Sequence, residues 1–166
     1  GRVVDIVHEG FDLAVRVGPL ADSTLAARPL GELRYGLFAA PGYLRRQPAP
    51  VQPHDLAQHA LIHFSGSRLR RVWTLTRGAD THRIEPDARL SANNSFAVRD
   101  ATVDALGIAQ LPLLLAQPEV EAGRLTPVLP DWQLPAAPVH AVFASARYLT
   151  PKVRAFIDLA VEAFAG

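Results

Sequence analysis

Apolar residues follow two rhythms along this chain, one of threes and fours and one of strict alternation, and their order predicts a mixed α/β fold. Val3, Ile6 and Val7 share one helical face within Arg2–Glu9, with Gly10 placed as a C-terminal cap. The β-prone run Phe11–Val17 follows and stops at Gly18-Pro19. A second strand is predicted over Leu33–Ala40, ended by Pro41-Gly42, with a short helical turn starting at Tyr43-Leu44. The proline-bearing stretch Gln47–Pro53 reads as a loop, and Pro53–Ala57 as a helical turn with proline at its start. Ala60–Phe64 and Val72–Thr76 read as strands, the latter turning at Arg77–Asp80 into an extended Thr81–Ile84 to make a hairpin.

The second half continues the alternation of helix and strand. Asn94 or Ser95 can cap a helix that ends at Gly107, and Ile108–Leu111 is a short strand. Pro112 opens another helix through Leu113, Leu114 and Leu115 to an exit at Glu121-Ala122-Gly123. Extended segments are predicted over Leu125–Leu129 and Val139–Ala144. Thr150-Pro151-Lys152 then caps a closing helix in which Val153, Phe156, Ile157, Ala160, Val161 and Phe164 keep the helical spacing. Such alternation favours mainly parallel sheets, which bind small molecules at the carboxyl ends of their strands, where helix N-termini present free N–H groups.

Composition narrows the classes. With 166 residues, 49% hydrophobic and 20% charged, the chain can bury a core of one domain or two small lobes. Seventeen Lys+Arg against sixteen Asp+Glu leave a formal charge of +1, and only Arg68, Arg70 and Arg71 cluster. A surface that grips nucleic acid normally concentrates basic residues, so this segment is not expected to do so, and the cluster reads as a solvated surface. The absence of cysteine excludes disulfides and thiolate zinc sites and fits a reducing, cytoplasmic setting. No apolar run is long enough to span a bilayer and no signal-peptide pattern opens the chain, so no membrane partner is expected. Without any methionine, the sequence reads as a piece of a longer protein.

Several ordered motifs resemble one family. Glu9–Gly18 (Glu-Gly-Phe-Asp-Leu-Ala-Val-Arg-Val-Gly) is followed by Leu25–Gly31, Ala40–Leu44 and Asn93–Ser95. Leu106–Pro112, Gly123–Leu125, Val128–Trp132 and Pro151–Asp158 complete the series. In this order they resemble the effector-binding domain of LysR-type transcriptional regulators. The resemblance implies two Rossmann-like lobes joined by crossover strands, like a type 2 periplasmic binding protein, with a small-molecule effector held in the interlobe cleft. On this chain, lobe I would take residues 1–39 and 140–166 and lobe II residues 40–139, with hinges near Phe38–Ala40 and Ala141–Phe143. The family's usual opening strand, helix and second strand have no counterpart here. Lobe I is therefore expected to be incomplete, with open strand edges that would pair with another chain or be met by a disordered segment. The resemblance also implies homodimers or tetramers, with DNA bound only through an N-terminal domain that is not in this sequence. The Arg2–Glu9 and Asn94–Leu106 helices, bearing Asp5 and Asp100, are the candidate dimer surface.

The site candidates each carry a plainer alternative. Asn93, Asn94 and Ser95 offer amides, a hydroxyl and the positive end of a helix dipole to a polar or anionic effector, or else form an ordinary N-cap. Gln110 can reach a ligand from its strand or bond backbone and solvent. Arg16, beside Val17 and Gly18, can meet an anionic effector bidentately or simply point outward. Phe96 and Phe143 can line an apolar wall or pack in the core.

Six histidines invite a metal reading, yet His54, His59 and His63 straddle a helical turn and a strand and form no compact motif. Ser65, His63 and Asp55 lack a nucleophile elbow, so no enzyme, cofactor or metal is expected. The runner-up, a solute-binding protein of a transport system, would need an export signal.

Overall fold

The computed structural model describes residues 13–20, 26–66, 71–143 and 150–164. The predicted Arg2–Glu9 helix with Asp5, the start of the first strand at Phe11-Asp12, and Arg68 and Arg70 lie outside these residues. The chain divides into two compact units, Gly1–Leu33 with Ala136–Gly166, and Arg34–Pro135. The switch points therefore fall at Leu33/Arg34 and Pro135/Ala136, earlier in both passages than the expected 39/40 and 139/140.

Unit one is a three-stranded antiparallel sheet in the order β1 (Ala14–Val17), β10 (Ala137–Phe143), β2 (Ala26–Leu33). Helix α4 (Pro151–Phe164) covers one face: Val153 and Ile157 pack with Leu30, Val139, Ala141 and Phe143. The Thr150 hydroxyl accepts from the Val153 N–H at 3.3 Å, so the predicted cap forms.

Strand β2 escaped sequence reasoning because Pro29 and Gly31 interrupt it. Both fit once its place is known. Among the described residues β2 lies at the sheet edge, where a residue without an N–H is tolerated. Gly31 has φ +145, and a Cβ there would lie 2.7 Å from the Phe164 Cβ, so glycine lets the end of α4 close onto the strand. The sheet is antiparallel throughout its described pairs, which corrects the expectation of mainly parallel sheets for this unit.

Unit two carries a five-stranded sheet ordered β7 (Leu90–Ala92), β4 (Leu61–Phe64), β8 (Ile108–Pro112), β3 (Tyr35–Ala39), β9 (Thr126–Val128). β7, β4 and β8 run parallel, while β3 is antiparallel to β8 and to β9. Alternation along each strand sorts its residues onto two cores. One face packs Leu37, Leu61 and Ile108 under Leu56 of the 3-10 turn Pro53–Gln58 and under Trp73, Leu75 and Trp132. Trp73 and Leu75 come from the predicted hairpin, β5 (Trp73–Arg77) with β6 (Asp80–Ile84). The other face packs Phe38, Ile62, Ala109 and Leu111 against Val98 of α2 (Ser95–Val103) and Ala116 of α3 (Leu113–Glu121). A short helix α1 (Pro41–Arg46) contributes Tyr43, whose hydroxyl lies 2.9 Å from His59 Nδ1 and accepts from the Ala60 N–H at 3.1 Å.

One cap differs from expectation. Ala105, not Gly107, takes the left-handed conformation after α2, with φ 63. Gly107 serves close approach instead, since a Cβ there would stand 2.4 Å from the Ala60 carbonyl oxygen. That carbonyl accepts from the Ile108 N–H at 2.9 Å and starts the β4–β8 pairing.

Candidate functional site

The parallel part of unit two brings its strand ends to one edge. β7 ends at Ala92 and leads through Asn93 and Asn94 into α2, while β8 ends at Pro112 and leads into α3. The Ser65 N–H donates to the Ala92 carbonyl at 2.8 Å, which sets the end of β4 beside Asn93. Two helix N-termini and the exits of three parallel strands therefore share this edge, the arrangement at which open α/β sheets take ligands.

The three polar residues at the head of α2 have different fates. Asn94 is the N-cap: its Oδ1 accepts from the Phe96 N–H at 2.8 Å and the Ala97 N–H at 3.4 Å. Its side-chain acceptor is therefore spent on the helix, the plain alternative foreseen for it. Among the described residues the N–H groups of Asn94 and Ser95 stay open, together with the side chains of exposed Asn93 and half-buried Ser95. Phe96 is 56% exposed, and the Arg99 guanidinium lies over its ring at 5.2 Å while pairing with Asp100 at 3.1 Å.

Gln110 is half-buried on β8, opposite Leu37. The register pairs Leu61 with Ile108 and Ile62 with Ala109, and its continuation sets His63 of β4 beside Gln110. His63 is in turn paired with Ser91 of β7. Ser91, His63 and Gln110 form a polar row on the face that farther along holds Leu61 and Ile108. Burial pushes the His63 imidazole below its ordinary value, and the Arg71 charge adds to the effect, so a neutral ring is favoured.

Ser91 went unnoticed in the sequence because β7 is only three residues long and carries no periodic signal, and His63, weighed there only for metal and hydrolase chemistry, joins the row through the register. The rule that ligands lie at the carboxyl ends of parallel strands was the available clue.

The remaining candidates lie in unit one. Arg16 and Val17 close β1, with Val17 46% exposed, and the Gly18 N–H donates to the Pro138 carbonyl at 2.8 Å. Phe143 is 3% exposed and packs in the α4-covered core, the alternative weighed for it beside a ligand-facing wall. The histidines part company: His54 pairs with Asp55 at 3.3 Å, His59 bonds Tyr43, and His63 stands in β4.

Comparison with known proteins decides the family. The LysR substrate-binding domain matches residues 1–165. This chain belongs to that family. An HTH-type transcriptional regulator of Pseudomonas aeruginosa, PtxR, is 39% identical over 154 residues, which cover 93% of this chain and 49% of that protein. An HTH-type regulator of Xanthomonas campestris is 36% identical, with 95% and 47% covered. The regulatory domain of CrgA, a LysR-type regulator of Neisseria meningitidis, superposes with a TM-score of 0.84 at 27% identity, over 95% of this chain and 78% of that one. The chain spans about half the length of the curated relatives it matches. The α/β, periplasmic-binding-protein-like fold class expected from the sequence is the family's. Among the described residues no helix is long and apolar enough to cross a membrane.

Proposed function

We propose that this chain is the sensing domain of a LysR-type transcriptional regulator, and that what it senses is a small molecule. The family match over residues 1–165 carries the reading. The edge of unit two supports it: open N–H groups at Asn94 and Ser95, the Asn93 amide, the Phe96 ring and the Ser91, His63 and Gln110 row offer donors, acceptors and one apolar surface. No bond is made or broken in this role.

The effector would act by favouring one of two arrangements of the regulator, and a coupling of about 1–3 kcal/mol is enough to change operator affinity roughly 5- to 150-fold. DNA would be met only through a domain outside this sequence. Self-association through α2, where Asp100 is exposed, belongs to the same proposal. A charge reversal at Asp100 that left dimerisation untouched would remove α2 from that role.

The test is a thermal-shift screen of small polar metabolites on the chain, followed by calorimetric titration of each hit into Asn93→Ala, Ser95→Ala and Gln110→Ala. A saturable hit weakened about tenfold by at least one of these supports the proposal. Hits indifferent to all three, or none in a broad library, would reject this edge as the sensing site.

A further inference from the structure

Three polar side chains lie in one line across the parallel strands of unit two, and the fold uses none of them. Ser91 of β7 is paired with His63 of β4, and the continued β4–β8 register sets Gln110 on the other side of His63. With neighbouring strands about 4.8 Å apart, the line is about 10 Å long. Ser91 is exposed and the other two are half-buried. Among the described residues none of the three side chains has a hydrogen-bond partner. Beyond Gln110 the line runs on to Leu37 of β3, 4% exposed, and the preceding pair on this face is Leu61 and Ile108, at 3% and 0%. The polar line therefore borders a dry core, where half-buried polar groups normally find partners.

The line is also uncharged. With the His63 ring held neutral by burial and by the Arg71 charge, it offers one N–H donor and one acceptor nitrogen. The serine hydroxyl and the glutamine amide likewise donate and accept. Helices α2 and α3, which follow β7 and β8, have no acidic residue in their first turns. Arg71 pairs with Glu85 at 3.5 Å, both largely exposed and open to screening by salt, and Arg99 is engaged by Asp100 at 3.1 Å. An ion set against this line gives up hydration and meets no dedicated counter-charge. A neutral group with both donors and acceptors exchanges its water bonds for protein ones.

We propose that Gln110 and His63, flanked by Ser91, read a primary carboxamide on an uncharged effector. This inference rests on the effector-sensing reading above and gives that effector a chemical class. The Gln110 amide and the ligand amide pair in one plane, each N–H donating to the other's carbonyl oxygen. The second N–H of the ligand donates to the unprotonated nitrogen of His63. A carboxylate in the same seat takes only donors, which leaves the Gln110 oxygen and one His63 nitrogen unmet and the charge uncompensated.

The probes are nicotinamide and nicotinate, which share a pyridine ring and differ in the group to be read. Each is titrated into the 166-residue chain at pH 7.5 and matched ionic strength while the Gln110 side-chain amide and His63 ring signals are followed by nitrogen-15 NMR. The expected result is a saturable shift of both signals with nicotinamide and binding about tenfold weaker with nicotinate. Gln110→Glu, which keeps the size and loses the amide donor, should weaken nicotinamide about tenfold, read at His63. His63→Gln, which keeps a donor and an acceptor, should hold affinity within about threefold, whereas His63→Leu should lose it.

Nicotinate binding as tightly as nicotinamide, or a nicotinamide response unchanged in Gln110→Glu and His63→Leu, would overturn the carboxamide reading. Signals that stay still up to about 50 mM nicotinamide would overturn it too. An ionic hit from the metabolite screen that depends on Asn93, Ser95 or Gln110 would overturn the carboxamide class and leave the sensing role standing, so the two failures are separable.

Discussion

Unit two buries both faces of its sheet, while unit one, among its described residues, has a helix on one face and on the other a row bearing arginine and histidine. The contrast extends to the strand edges. In unit one, Val15 and Val17 stand about half exposed although they alternate onto the core side. In unit two, Leu61, Ile62, Ile108, Ala109 and Leu111 are all 3% exposed or less. A strand buried on both faces has few positions where truncation is cheap, whereas half-exposed residues of an edge strand such as Val15 and Val17 lose little.

The largest test of this difference is a pair of truncations read by urea unfolding. Trp73→Ala, in the hairpin core of unit two, should cost about 3–5 kcal/mol, and Val15→Ala in unit one less than about 1 kcal/mol. Comparable losses at the two sites would erase the distinction. Next come the two close-approach glycines, each expected to cost about 1–3 kcal/mol as alanine. Gly107→Ala pushes a methyl at the Ala60 carbonyl and should loosen the β4–β8 pairing, whereas Gly31→Ala should speed amide exchange at the end of α4. An unchanged α4 in Gly31→Ala would show that the helix does not depend on that approach.

Much of this pattern could be read in the chain, and what could not has physical causes. Strands β3, β4, β5, β6, β8 and β10 and helices α2, α3 and α4 answer to their hydrophobic rhythm and to their Asn, Pro and Thr caps. β2 was hidden because Pro29 and Gly31 are tolerated only through an edge position and a tertiary contact that no local window contains. β7 was too short to show a period. In the candidate site, the Asn93–Ser95 head of α2 was legible as a helix start with Asn94 or Ser95 as its cap, but which of the two commits its side chain to the helix was not. The neighbours His63 and Ser91 of Gln110 depend on register, which pairs residues far apart in sequence.

Smaller effects sharpen the comparison at the site itself. Asn94→Ala should cost about 1 kcal/mol and fray the first turn of α2 without affecting unit one. Acid should weaken unit two through His59 and His63, both held below the ordinary imidazole value of 6.5, chiefly by burial. Because the unfolded chain then binds protons at higher pH than the folded one, stability is full above that value and is lost as the pH falls through it. Urea midpoints measured by tryptophan fluorescence, which reports unit two through Trp73 and Trp132, should drop between about pH 7.5 and about pH 5.5, where histidine is the side chain that titrates. The drop should shrink in His63→Gln, and a flat midpoint would contradict the assigned directions.

The sensing role is tested most directly by hydrogen exchange across the chain with and without a saturating hit from the metabolite screen. The account predicts slowed exchange at residues 63–66, 91–97 and 110–113, where the strand exits and helix starts of unit two meet, with the β5–β6 hairpin unchanged. Protection confined to the hairpin, or absent from these three segments while the ligand is bound, would contradict it.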